Sequence, residues 1–203
     1  MTSIDAITLE VADVSAAEAF YAAAFGPVAD RLRFRQTEEL SSGFRGYTLS
    51  IIVAHPADAA LHLDASIGAG ATVLKPASKS LWGYGGSVQA PDGAIWNVAS
   101  SKKKDKGPAT TDVEDVVLLI GPEDVGAAKK FYVEQGLEAG KSFGKYVEFE
   151  APAGSAVKFG LNARKALAKS VGVSPEGSGS HRIVVHSAAG PFTDPNGFVW
   201  ENS

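Results

Sequence analysis

The chain repeats itself, and the repeat constrains its fold more than any single segment does. Phe20-Tyr21, inside an alanine-rich run, recurs as Phe131-Tyr132. Pro91-Asp92-Gly93 with Trp96 recurs as Pro195-Asn196-Gly197 with Trp200. Each copy reads in the same order. In the first, residues 4–12 alternate, with Ile7, Leu9 and Val11 on one face of a strand. Asp13 then caps a helix in which Ala16, Phe20, Ala23 and Ala24 recur at helical spacing, and Gly26 stops it. Strand-like runs at 28–35 and 44–54, a short helix after His55-Pro56 and a strand after Gly70 follow; the turn Pro91-Asp92-Gly93 introduces the last strand. The second copy shows a strand at 113–121, a helix within Pro122 to Glu134, strands at 145–150 and 155–161, a short helix at 163–173 and strands at 181–187 and 193–203. Residues 101–111 between them are charged, contain proline and lack apolar side chains, the composition of a solvated linker.

Composition narrows the function. With no cysteine, thiolate ligands and cysteine nucleophiles are excluded, and the 4 histidines are the only soft ligands left. The 19 Lys and Arg against 23 Asp and Glu give a net charge of −4 without a basic stripe, which argues against nucleic-acid partners. The start lacks a basic region followed by an apolar run, and no apolar stretch nears the roughly 18 residues of a membrane span. The sequence reads as cytoplasmic.

The strand Ile7-Thr8-Leu9-Glu10-Val11-Ala12-Asp13 with Phe20-Tyr21, its counterpart Val116 to Ile120 with Phe131-Tyr132, and the two closing turns resemble the vicinal oxygen chelate superfamily, which includes glyoxalase I, extradiol dioxygenases and bleomycin-resistance proteins. The resemblance implies an α+β fold of two tandem βαβββ units, residues 1–100 and 112–203, with curved mixed sheets enclosing a small-molecule cleft and helices outside. It does not name a reaction. Metal-dependent members hold an ion at four equivalent points, which fall here on Ala6, Asn97, Asp115 and Glu201. Ala6 cannot coordinate and Asn97 offers one neutral oxygen, so the expectation is no metal cofactor. A weak divalent site from Asp115, Glu201 and Asn97 is the alternative. A register shift of one residue would bring Asp5 or Glu114 to such a point instead.

Alternation along the strands predicts a mostly apolar cleft with Val117 and Leu119 in its wall, Thr8, Glu10, Asn97, Asp115 and Glu201 as its polar points, and Trp96, Phe198 and Trp200 turned into the core. Trp82 and Tyr84 lie in a glycine-rich segment suited to carrying rings over the mouth. Tyr47 shares a strand face with Arg45, and Arg33 with Arg35; either pair can meet an anion, or form a solvated edge. Two functions are compatible with this pattern. One is metal-free binding of a small organic molecule. The other is a lyase, isomerase or dioxygenase-type enzyme of the same superfamily, using Glu201 or Asp115 as a base or weak metal ligand. The plainer readings are a solvated Asp115 at the start of a strand and a frayed Glu201 near the chain end. The histidines lack metal-pair spacing and read as structural, with His186 as a cleft residue the lesser alternative. Gly83-Tyr84-Gly85-Gly86-Ser87 is no phosphate loop, and no serine-hydrolase elbow is present. Monomer and homodimer both remain open.

Overall fold

The computed structural model of the chain describes residues 2–80 and 83–203. The first half comprises β1 (Ile4–Val11), α1 (Val14–Phe25), β2 (Leu32–Gln36), β3 (Ser41–Gly43), β4 (Tyr47–Ile52), α2 (Pro56–Gly68), β5 (Thr72–Ser80), β6 (Gly83–Gln89) and β7 (Ile95–Ser100). The second comprises β8 (Asp115–Ile120), α3 (Val125–Glu134), β9 (Ala139–Phe143), β10 (Tyr146–Phe149), β11 (Lys158–Asn162), α4 (Arg164–Val171), β12 (Gly177–Gly179), β13 (Ile183–Ser187), β14 (Phe192–Thr193) and β15 (Val199–Glu201). The repeat is visible in the helix starts. Asp13 Oδ1 accepts from the Ala16 amide at 2.9 Å, and Asp124 Oδ1 from the Ala127 amide at 3.0 Å, each filling a free donor of the first turn. Where the sequence suggested a strand from residue 28, a 3-10 turn (Gly26–Arg31) delays it: Gly26 takes φ +47°, and a proline follows directly.

The two large sheets each draw on both halves. One has the strand order β5-β6-β7-β4-β8-β11-β10-β9, the other β14-β15-β13-β1-β2, and β3 pairs with β12. In the eight-stranded sheet, β4-α2-β5-β6-β7 and β8-α3-β9-β10-β11 are complete βαβββ units. The first and last strands of each run parallel, Leu49 beside Trp96 and Leu118 beside Phe159. They join through the antiparallel pair β4 and β8. The remaining strands meet through the antiparallel pair β1 and β13. The halves are therefore interlocked. The linker is tied as well: Asp105 accepts from the Ala57 amide, and Asp58 from the Thr110 amide, both at 2.7 Å.

Helices α1 and α3 lie on the side of the sheets away from the grooves, each with one face packed on the shared core and the other exposed. The Tyr21 ring stands 5.3 Å from Phe34 of β2 and 5.7 Å from Trp96 of β7; the Tyr132 ring stands 4.9 Å from Phe159 of β11 and 5.4 Å from Trp200 of β15. Both hydroxyls close a turn. Tyr21 Oη donates to Asp92 at 2.8 Å, and Tyr132 Oη to Asp194 at 2.7 Å. The accepting aspartate follows the proline in the first turn and precedes it in the second. Burial, then the neighbouring carboxylate, pushes both phenols above their ordinary value of 10.0. Among the described residues no helix is long and apolar enough to cross a membrane.

Candidate functional site

Paired residues on adjacent strands share a face, so register decides which side chains meet. On the five-stranded sheet, Ile7, Leu9 and Val11 of β1 enter the core with Ile183, Val185 and Trp200. The opposite face carries Ala6, Thr8 and Glu10 of β1, Arg33 and Arg35 of β2, Val184 and His186 of β13, and Val199 and Glu201 of β15. His186, only 5% exposed, places Nε2 2.7 Å from the hydroxyl of Thr8, itself buried. Its Nδ1 has no hydrogen-bond partner among the described residues and stands 4.0 Å from Glu201 Oε2. Arg35 grips Glu201 like a fork, Nη1 reaching Oε1 at 3.1 Å and Nη2 reaching Oε2 at 3.0 Å, while Glu10 lies 3.7 Å from Nη1. The guanidinium beside it holds the Glu201 carboxyl below its ordinary 4.5.

On the eight-stranded sheet the core face is Tyr47, Leu49, Ile51, Trp96, Val98, Val116, Leu118 and Ile120. The groove face presents Ser50 of β4, Ser87 of β6, Asn97 and Ala99 of β7, Asp115, Val117 and Leu119 of β8, and Lys158 of β11. Asp115 is neutralised by Lys158, whose Nζ is 2.8 Å from Oδ2. Helix α4 lies against this face. Leu167, Ala168 and Val171 are all but sealed by Ile95, Phe44, Leu74 and Leu119. Beside the helix a pocket of about 170 Å³ remains, lined by Lys75, Tyr84, Ser87, Asn97, Ser100 and Ser170 among others. Ser87 Oγ donates to Asn97 Oδ1 at 2.6 Å, which turns the amide nitrogen of Asn97 outward, without a protein partner among the described residues. Gly85 in the wall is obligatory: a Cβ there would lie 2.5 Å from the Val98 carbonyl oxygen.

The single cleft expected from alternation is thus two grooves, both turned away from the shared core. Thr8, Glu10 and Glu201 come together on one sheet; Asn97, Asp115, Val117 and Leu119 stand on the other, while Tyr84, paired with Ser100, turns to the opposite face of β6 and packs against the core. Asp115 and Glu201 do not form a pair, because β8 joins β4 while β15 joins β13. Tyr47 is not a groove residue. The phase of β4 sends it into the core, 2% exposed and edge-on to Phe198. Trp82 lies outside the described residues. Leu119 is taken up by α4, and the open pocket beside it is lined by hydroxyls, an amide and an ammonium together with Ala99 and the glycines of β6. Sequence reasoning missed Lys75, Ser87 and Ser170. Glycines obscured β6 as a strand, and nothing local reveals where α4 docks beyond its apolar stripe.

A metal ion at the four points that the sequence resemblance implied does not suit these residues. The points expected to hold it divide between sheets, Ala6 and Glu201 on one, Asn97 and Asp115 on the other. Each carboxylate already has a protein cation. Among the described residues no group of three His, Asp or Glu side chains converges as a metal site.

No family model matches the chain, and no curated protein is significantly similar to it in sequence. Solved structures match it in fold. A mutant of glyoxalase I from Zea mays superimposes with TM-score 0.61 at 12% identity, over 98% of this chain and 91% of that one. Glyoxalase I from Zea mays gives 0.58 at 12%, over 92% and 75%. A Bacillus subtilis protein provisionally named a dioxygenase gives 0.57 at 12%, over 91% and 69%. The chain has the glyoxalase-like fold.

Proposed function

We propose that this chain binds a small polar organic molecule, about the size of a single ring, in the pocket beside α4, and does so without a metal ion. The observation that carries this reading is the pairing of both candidate carboxylates with protein cations, Glu201 with Arg35 and Asp115 with Lys158. A carboxylate held ionised by a guanidinium is a weak proton acceptor, which counts against the lyase or isomerase alternative. The pocket keeps capacity beyond its protein contacts: the Asn97 amide nitrogen and the Lys75 ammonium near Ser170. Its 170 Å³ is below the roughly 300 Å³ floor of drug-sized sites but matches a cavity of about 150 Å³ that holds benzene. An ammonium among hydroxyls favours a ligand with a carboxylate or carbonyl group.

The test is a fragment screen by ligand-observed NMR with and without a chelator. Single-ring carboxylates and carbonyl compounds should bind equally in both conditions, shift the amides of Ser87 and Asn97, and lose roughly tenfold or more in affinity in Asn97→Ala, the scale on which an unpaired polar contact discriminates. Binding that requires a divalent ion, or that maps only to Thr8 and His186, would refute the proposal.

A further inference from the structure

We infer that Arg35 is a built-in cation: its guanidinium takes the place of a divalent metal among Glu201, Glu10 and His186, and its removal opens a metal site on the five-stranded sheet. This concerns the other groove from the pocket proposed above, so it stands or falls separately.

The charges lead to it. Arg35 is the only positive group within 4 Å of Glu10 and Glu201 among the described residues, apart from the His186 ring, 4.0 Å from Glu201. One guanidinium therefore balances two carboxylates. Taking it away leaves two negative charges around one vacated position, the balance a dication restores. The third donor is in place. His186 is anchored through Nε2 by the Thr8 hydroxyl, which fixes the ring, and presents its unpartnered Nδ1 toward the same Glu201 oxygen that Arg35 holds at 3.0 Å. A ring nitrogen oriented by a hydrogen bond on its far side is the usual arrangement of a metal-bound histidine. The 4.0 Å between Nδ1 and Oε2 exceeds by less than 1 Å the roughly 3.3 Å edge set by metal bonds of about 2.0–2.2 Å in a tetrahedral site. The half-exposed Glu201 side chain, released from its fork, can cover that difference. One imidazole and two carboxylates suit zinc, cobalt or manganese. With Arg35 present, a dication would meet a guanidinium at contact distance from both of its carboxylate ligands.

Co2+ is the probe, because its visible absorption reports coordination directly. The chain, Arg35→Ala, Arg33→Ala and the double variant Arg35→Ala/His186→Gln are titrated with Co2+ after circular dichroism has confirmed cooperative melting. Arg33 shares the strand face but not the fork, so its variant controls for charge alone. Arg35→Ala should bind Co2+ about 10- to 100-fold tighter than wild type, the scale on which groups beside a metal act on its affinity. Arg33→Ala should show no gain, and the added His186→Gln should abolish it. A folded Arg35→Ala without gain, an equal gain in Arg33→Ala, or wild type binding Co2+ as tightly as Arg35→Ala would each overturn the inference. Should Arg35→Ala not fold, Arg35→Gln is scored by the same criteria. In the wild type, Co2+ should leave the His186 ring resonances unbroadened; selective broadening there would also overturn it.

Discussion

At the scale of single residues, the molecule turns on where carboxylates find their partners. Tyr132 donates to Asp194, which is 4% exposed and also accepts from the Asn196 and Phe198 amides, both at 2.8 Å. Tyr21 donates to Asp92, which is only half-buried. Removing a donor from a buried carboxylate leaves charge that water cannot reach. Tyr132→Phe is therefore expected to destabilise by about 1–3 kcal/mol and Tyr21→Phe by roughly 0.5–1.5 kcal/mol, and urea melts of the two should rank in that order. The Glu201 and Arg35 pair makes a prediction in pH. Because the folded value of Glu201 is lowered, its contribution is fully present above the ordinary 4.5 and is lost as pH falls through the folded value. Glu201→Gln should slightly lower stability near neutral pH and flatten the acid-side decline below 4.5. The pair is more than a third exposed on both sides, so the effect should not exceed about 0.2–1 kcal/mol. A larger change in denaturant melts across that range would mean that Glu201 has partners beyond Arg35.

At the scale of elements, α4 decides which groove stays open. Its apolar residues Leu167, Ala168 and Val171 satisfy the apolar end of the eight-stranded groove and leave only the polar end free. Leu167→Ala should cost about 2–5 kcal/mol, and it should also enlarge the pocket so that two-ring fragments bind that wild type rejects. Unchanged fragment selectivity would detach α4 from ligand choice. The helix itself was legible in the sequence from its place in the repeat, as were α1 with its Asp13 cap and α3; the Asp124 cap was not read. The docking of α4 was not legible. Nothing within residues 163–173 distinguishes an outer face from the inside of a groove two strands away. The β6 strand was hidden for a related reason, since Gly83, Gly85 and Gly86 carry no side chains to alternate. The strand phase that buries Trp96 and Trp200 was readable, while Tyr47 was misplaced because a tyrosine suits either side of β4.

At the scale of the whole molecule, the exchange of strands between the halves was not legible in the sequence. Two copies in sequence suggested two bodies around one cleft. The pairs β4 with β8 and β1 with β13 cross between halves, and that pairing separates Asp115 from Glu201. Pairing between distant strands leaves no mark in either segment alone. Residues 1–100 or 112–203 expressed separately would expose an edge of β1 or β13 and of β4 or β8, so neither should melt cooperatively alone, and mixing them should restore a cooperative melt. Two independently folded fragments would contradict the interlocked account. On the function proposed above, Arg35 and Lys158 are the cations that balance the groove carboxylates. The most direct test is elemental analysis of the chain purified without chelator, equilibrated with buffered zinc, manganese and cobalt, and dialysed. The account predicts no metal retained in stoichiometric amount; a full equivalent that survives dialysis would contradict it.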